Sequence, residues 1–364
     1  MHPFLFWAAL ALASAETAEQ CTNTLVGREP GPMELSAVVE ATAGSGDDQG
    51  LVFHPLDDDR LIVLAGDREA SELVLNGSQQ RFGLHRVEDR PLLILQHCKL
   101  SQMALSMVAG SDFGEWAGPD FHQARPAVGN EAGSLQTTVL ESEALGGSRE
   151  IYLVVSAGWD GAAGDPLVVS GDGLAGGPFG AIVEALSELD ETRPIAFASA
   201  RFGEGQVDGT SIPLRAAEYH QPDESADELR QAAYLAHEQF FFEEFIPHVL
   251  AALGGEVGQI VSFGISSSAS FALEQGLKRP EQIAAVIAAS PPVSAVTRSL
   301  AAKADQHPQI RLWCGTLEDI FCNSITQLAE QHDFPLETRP AGHASAFWEE
   351  AFSASLRELF SSRD

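Results

Sequence analysis

A short apolar run, Gln259-Ile260-Val261-Ser262-Phe263, ends in Gly264-Ile265-Ser266-Ser267-Ser268 and passes straight into a helical pattern at Ala269. Its β-branched and aromatic residues make the run a buried strand. Ala269, Phe271, Ala272 and Leu273 then recur at helical spacing, with no breaker until Gly276. A strand that turns at once into a helix needs small residues at the turn, because the backbone at its apex is crowded and strained. Gly264 fits that need, and Ser268 is small enough for the second flanking position. Such a turn holds a serine hydroxyl exposed at the edge of a sheet. A Gly-x-Ser followed two residues on by Gly, Ala or Ser is expected by chance about once in a chain of this composition. The flanking strand and helix therefore carry the argument, and Ser266 is the candidate nucleophile.

A serine hydroxyl at its free pKa is a weak nucleophile and needs a neighbouring base. Among eleven histidines, His343 is the best placed. It follows Pro340-Ala341-Gly342, after a strand-like stretch at 334–338 and before a C-terminal helix from about Phe347. His220, His237 and His248 come before the serine in the chain and are expected to be helix or loop residues. An acid that orients the imidazole should follow the strand Ile310-Arg311-Leu312-Trp313-Cys314. Gly315-Thr316-Leu317-Glu318-Asp319 offers two adjacent carboxylates; Glu318 has the usual separation from the glycine and is preferred, with Asp319 as the alternative. Serine, acid and histidine then run in one known chain order for such a site. Acyl-transfer chemistry also needs backbone N–H groups aimed at the developing oxyanion. Ser267 should supply one, and Gly173 or Leu174, in the glycine-rich loop after the strand-like 167–170, the other.

The charge excludes several partner classes. With 21 Lys and Arg against 52 Asp and Glu, the formal net charge is -31, which repels nucleic acid and anionic lipid. Residues 1–15 hold the apolar run 4–12 followed by Ala13-Ser14-Ala15, the pattern of a secretory signal peptide; no later run reaches the length of a membrane span. The expected location is periplasmic or secreted. Cys21, Cys98, Cys314 and Cys322 form an even set, consistent with two disulfides in an exported chain. Three pairings are possible, and the economical one joins Cys21 to Cys98 and Cys314 to Cys322. No metal ligand set and no cofactor motif is evident.

Short strand-like runs with turn signals between them fill the region 16–110, which predicts a small all-β, sandwich-like domain. A Gly-, Pro- and Asp-rich stretch, 111–134, reads as a linker. From 135 to 364 strands alternate with helical patterns, which predicts an α/β domain with a mainly parallel sheet.

Several ordered pieces of 137–360 resemble the putative esterases of the α/β-hydrolase superfamily, which include S-formylglutathione hydrolases and enterochelin-type esterases. They are Ser148-Arg149-Glu150-Ile151-Tyr152-Leu153, Asp172-Gly173, Arg215-Ala216-Ala217-Glu218-Tyr219, Phe242-Glu243-Glu244-Phe245-Ile246-Pro247, Gly315-Thr316-Leu317-Glu318, and Gly342-His343 with Trp348. The departures are Ser268 for a second elbow glycine and Ala344-Ser345 where the family often has Asp-Trp. The resemblance implies an α/β-hydrolase fold and a serine-dependent carboxylic-ester hydrolase acting on a small-molecule ester without a cofactor. An acyltransferase on the same fold, or an inactive hydrolase-fold binding protein, are the alternatives. The oligomeric state is not readable.

Overall fold

The computed structural model describes residues 24–31, 34, 37, 50–87, 90–121, 126, 129, 132–160, 164–207, 210–222, 228–255, 257–303 and 306–362. The expected signal peptide and Cys21 lie outside the described residues. The chain divides into two compact units, Met1–Phe121 and His122–Asp364.

The first unit is built from β1 (Val26–Arg28), β2 (Leu51–Asp57), β3 (Arg60–Ala65), β4 (Glu72–Leu75), β5 (Arg81–Gly83), β6 (His85–Val87), β7 (Arg90–Gln96), β8 (Ala104–Ala109) and β9 (Asp112–Ala117). One antiparallel sheet runs β1-β7-β3-β2 with β6 also on β7; the other runs β5-β4-β8-β9. Strands β3 and β7 are apolar almost throughout, and alternation splits them between two faces. Ile62, Leu64, Leu92 and Ile94 form a cluster on one face. On the other, Leu93 approaches Gly27 together with Phe82 of the second sheet. The expected linker 111–134 is corrected at its start. Gly110, at a φ of 61°, turns the chain between β8 and β9, and β9 pairs with β8 from Asp112 to Ala117. Composition misled there because turn and strand share the same glycines and aspartates. Within the strand-like run 81–87, β5 and β6 are separate strands, one in each sheet.

The second unit centres on eight strands: β10 (Gln136–Ser142), β11 (Gly147–Val155), β12 (Pro166–Ser170), β13 (Ala196–Ala200), β14 (Gln259–Ile265), β15 (Ala285–Ala289), β16 (Gln309–Gly315) and β17 (Leu336–Arg339). Their order is β10-β11-β13-β12-β14-β15-β16-β17. Only β11 runs against its neighbours; the six strands from β13 to β17 are parallel. The helices are α1 (Pro178–Glu188), α2 (Leu214–Tyr219), α3 (Glu228–Gln239), α4 (Ile246–Ala252), α5 (Ser267–Lys278), α6 (Ala295–Lys303), α7 (Asp319–His332) and α8 (Ser345–Phe360). Between α3 and α4 the chain winds as a π-helix, Phe240–Phe245. Pro247, which has no N–H to donate, opens α4 immediately after it, a position proline tolerates.

Alternate residues of the central strands face opposite layers. Val168, Phe197, Val261, Phe263 and Ile287 pack with Ile182 and Val183 of α1 and with Phe352 and Leu356 of α8. Leu167, Val169, Ala196 and Ala198 meet Phe240, Phe241 and Phe245 of the π-helix and Phe271 of α5. Burial on both faces explains why these strands read as continuous apolar runs. The chain goes outward from β12 through β13 and returns to the other side of β12 as β14. That reversal leaves a crevice at the carboxyl ends of β12 and β14, where open α/β sheets place their sites.

Candidate active site

Each candidate side chain follows the carboxyl end of a parallel strand. In the register, Ser170 lies beside Phe263, Ile265 beside Ala289, and Gly315 beside Arg339. The loops after β12, β14, β16 and β17 therefore open on one edge of the sheet.

Ser266 is the residue between β14 and α5, at φ 51° and ψ −122°. A side chain at positive φ is strained by about 1–3 kcal/mol, and the turn is held against that strain from several directions. The Ser266 N–H donates to the Ala289 carbonyl at 2.9 Å. A Cβ on Gly264 would lie 2.3 Å from the Ser268 backbone, so no larger residue fits there. Ser268 is buried; its hydroxyl donates to the Ile265 carbonyl at 2.9 Å and accepts from the Ile265 N–H at 3.1 Å. The serine in place of a second glycine thus ties the turn to the strand end.

His343 Nε2 lies 2.9 Å from Ser266 Oγ, and His343 Nδ1 lies 2.5 Å from Glu318 Oε1. The imidazole is clamped by packing as well: Phe321 stacks on it at 4.9 Å and Trp348 meets it edge-on at 4.6 Å. Glu318 is fully buried. Its second oxygen, Oε2, accepts from the Gly315 N–H and the Ser290 hydroxyl, both at 2.8 Å. The Trp348 indole N–H donates in turn to Ser290 Oγ at 3.0 Å. Both oxygens of this buried carboxyl are therefore hydrogen-bonded, as burial of a polar group requires. Asp319, the alternative acid, is exposed in the first turn of α7, where its charge suits the helix dipole.

Backbone bonds lace the acid and histidine loops together: Thr316 N–H to Arg339 O at 2.8 Å, and Leu317 N–H to Ala341 O at 3.0 Å. Their approach demands Gly315, since a Cβ there would sit 2.1 Å from the Ala341 oxygen. A disulfide joins Cys314 to Cys322 across Glu318. Cys98 is also disulfide-bonded; its expected partner, Cys21, is outside the described residues.

On the donor side, Ser267 is the first residue of α5, so its N–H has no acceptor within the helix. Across the crevice, Asp172 and Gly173 both have positive φ, 60° and 69°, which makes 171–174 a tight mirror-image turn. Of the two alternatives for the single donor expected there, Gly173 is corrected: its N–H donates to the Ala200 carbonyl at 3.0 Å. A bond from the loop to a neighbouring strand end was not readable from the residues. Leu174 keeps only a 3.4 Å contact from its N–H to Gly171 O, longer than a normal amide bond. His220, set aside for preceding the serine, has its Nε2 3.1 Å from Ser267 Oγ. Burial and the charges of Arg230 and Arg215 lower its pKa to about 4.

No protein-family model matches the sequence, and no curated protein matches it. Among solved structures, the chain is similar to an enterochelin esterase from Shigella flexneri, at 15% identity over 86% of this chain and 95% of that one, with a TM-score of 0.63. It is also similar to the ferric enterobactin esterase from Salmonella typhimurium, at 13% identity over 88% and 98% of the two chains and a TM-score of 0.60. This chain has the α/β-hydrolase fold. A third hydrolase of this kind, the siderophore hydrolase EstB from Aspergillus nidulans, matches at 15% identity over 66% of this chain and 98% of its own, with a TM-score of 0.50.

Beside the three residues the hydrolase fold leaves a pocket of about 710 Å³, lined among others by His220, Arg230, Val293, Arg298, Ile320 and Phe321. It adjoins the site through Phe321, which stacks on His343, and through His220, which bonds Ser267. Another pocket, of about 630 Å³, lies at the opposite edge of the sheet by Gln259 and Ala284 and is lined by none of these residues.

Proposed function

We propose that the protein is a serine-dependent carboxylic-ester hydrolase. The observation that carries the reading is the unbroken hydrogen-bonded line from Ser266 Oγ through both nitrogens of His343 to buried Glu318. In that line His343 Nε2 takes the Ser266 proton as the hydroxyl attacks the acyl carbonyl. Glu318 fixes the tautomer that leaves Nε2 free to accept, and it stabilises the imidazolium that forms. The N–H groups of Ser267 and Leu174 receive the charge developing on the carbonyl oxygen. Collapse expels the alcohol, which takes the proton from His343 and leaves an acyl-enzyme; water, activated by the same imidazole, then releases the acid. The pocket beside Phe321 accommodates one arm of the ester. The names of the similar structures, enterobactin esterases and a siderophore hydrolase, support ester cleavage.

The protein acts in exported form in this proposal. Support comes from the apolar run 4–12 with Ala13-Ser14-Ala15 and from a disulfide at the site, a bond that persists in oxidising compartments. The decisive test is labelling of the purified protein with a fluorophosphonate, followed by peptide mapping alongside hydrolysis of a chain-length panel of model esters. The expected result is a single label on Ser266 and loss of ester cleavage in step with labelling. A label on another serine, or cleavage that continues in fully labelled protein, rules the proposal out.

A further inference from the structure

The segment from Leu214 to His220 reaches both loops that would supply oxyanion donors. Arg215 grips Asp172 with two parallel bonds, Nε to Oδ1 at 2.6 Å and Nη2 to Oδ2 at 2.7 Å. Its guanidinium also lies over two rings, 5.6 Å from the Phe202 ring centre and 5.5 Å from that of Tyr219. The Tyr219 hydroxyl accepts the Asp172 N–H at 2.8 Å. It also lies 2.5 Å from where a Cβ on Gly171 would stand, so the turn sits directly on the phenol. One residue later, His220 holds the Ser267 hydroxyl. The segment is itself braced from behind: fully buried Glu218 bonds Arg149 at 2.6 Å and the Gly203 N–H at 2.8 Å. Among the described residues, none of Arg215, Tyr219 and His220 bonds to Ser266, His343 or Glu318.

Asp172 sits at positive φ, a conformation that aspartate adopts as a single residue, and the Leu174 N–H depends on that turn for its direction. The forked guanidinium and the phenol that accepts the Asp172 amide hold the turn in place. On the other side, Ser267 opens α5, and its side chain is anchored on His220 while its N–H faces out of the helix. One short stretch of chain therefore sets the spacing between the two candidate donor groups.

We infer that Arg215, Tyr219 and His220 are positioning residues for oxyanion stabilisation, the first two acting through Asp172 on the loop bearing Leu174, and His220 acting through Ser267. The inference rests on the reading of the site as an acyl-transfer centre. A donor removed outright from such a site costs ~10²–10³ in kcat; a donor misaimed by a slackened loop loses part of that.

The test uses the full chain with Arg215→Ala, Arg215→Lys, Tyr219→Phe and His220→Ala. Steady-state kinetics on a model ester are measured together with inhibition by an alkyl boronic acid, which binds as a tetrahedral adduct, and with melting temperature. Arg215→Ala should lower kcat by about 10²-fold and weaken boronate inhibition in parallel while KM stays within about twofold. Lysine, a point charge without the fork, restores only part of the rate. Tyr219→Phe should lose about 10-fold and His220→Ala about 5-fold, with the same split between kcat and KM. If Arg215→Ala does not fold, Tyr219→Phe and His220→Ala decide the matter. Wild-type kcat and boronate affinity in the folded variants, even with lowered melting temperatures, would make the segment structural only and overturn the inference. Phosphonate labelling separates this failure from that of the underlying reading. If Ser266 of the wild type takes no label, both fall; if it is labelled and the variants keep full kcat, only the positioning role falls.

Discussion

The two halves of the site are held by different means. On the triad side, three side chains from loops after β14, β16 and β17 bond directly to one another, and every partner lies within a few residues of a strand end. On the proposed donor side the groups are backbone N–H groups, and the side chains that brace their loops come from the segment 214–220, remote in sequence from both loops. A side chain can be exchanged for another and its loss read directly. A backbone donor cannot, so its quality depends on turn conformation and on whatever braces the turn. The triad side should therefore fail all at once, and the donor side by degrees.

The largest effects belong to the triad side. Ser266→Ala and His343→Ala should each lower kcat by roughly 10⁶, to the residue of catalysis that donors and binding supply alone. The double variant should be no worse than either single one, because the two act as a unit. Steady-state rates on a model ester, with circular dichroism to confirm folding, decide this. Additive losses in the double variant would mean that the two residues do not share a step.

The two carboxylates at the head of α7 come next. Glu318→Gln should cost about 10⁴ in kcat, since the amide can satisfy the His343 Nδ1 position only by favouring the wrong tautomer. Asp319→Asn should stay near wild type, because Asp319 is exposed and Glu318 already occupies Nδ1. The reverse ranking would assign the orienting role to Asp319.

The three side chains of the proposed triad could be singled out in the sequence because each follows a punctuating glycine within three positions: Gly264, Gly315 and Gly342 precede Ser266, Glu318 and His343. Preference for Glu318 over Asp319 came from separation along the loop, and burial distinguishes them in the structure. The donor side was harder to read. Leu214–Tyr219 is a six-residue helix, too short to show a helical period; Arg215–Tyr219 is visible in the sequence only as a piece of the resemblance, and its bonds run to residues more than forty positions away. His220 was weighed only as a base and set aside on chain order, although its contact is with the neighbour of the nucleophile. Gly173 stands beside Leu174 as an alternative donor because glycine permits close approach, yet the same freedom turns its N–H onto Ala200. In the sheet, β15 (Ala285–Ala289) gave no clear strand signal because alanine has little preference for extended backbone.

A smaller effect tests the rigidity of the acid loop. Reducing or removing the Cys314–Cys322 bond frees the segment that presents Glu318. Closing so short a loop stabilises by about 2.5 kcal/mol in the chain-entropy picture, a modest share of a domain's stability. Cys322→Ser should accordingly lower kcat more, in proportion, than it lowers the melting temperature. Kinetics and calorimetry on the same preparation check this. A large drop in melting temperature with unchanged kcat would place the bond's value in the fold and not in the site.

The subtlest difference concerns pH, and it lies under the donor side. His237 is fully buried, packed edge-on against Tyr219 at 5.1 Å and Phe271 at 4.9 Å. Neither of its ring nitrogens has a hydrogen-bond partner. Burial lowers its pKa from 6.5 to about 3, so its 4.0 Å approach to Glu218 is not an ion pair near neutrality. The sign of the linkage follows. Above 6.5 the imidazole is neutral in both states, and this term costs nothing. As pH falls below 6.5 the unfolded chain takes up a proton that the folded chain refuses, and stability is lost until about pH 3. The slope is about 1.4 kcal/mol per pH unit for one proton. His220, lowered to about 4, acts in the same direction. Glu274, raised by burial to about 7, acts oppositely: its contribution is full below 4.5 and lost as pH rises through 7. His237→Phe removes one proton's worth of slope on the acid side and leaves the other two terms in place. Denaturant unfolding at several pH values between 4.5 and 6.5 should therefore show a shallower fall in the variant, by about 1.4 kcal/mol per unit. Parallel curves for the two proteins would mean that His237 titrates normally and that the ground beneath Tyr219 is open to water.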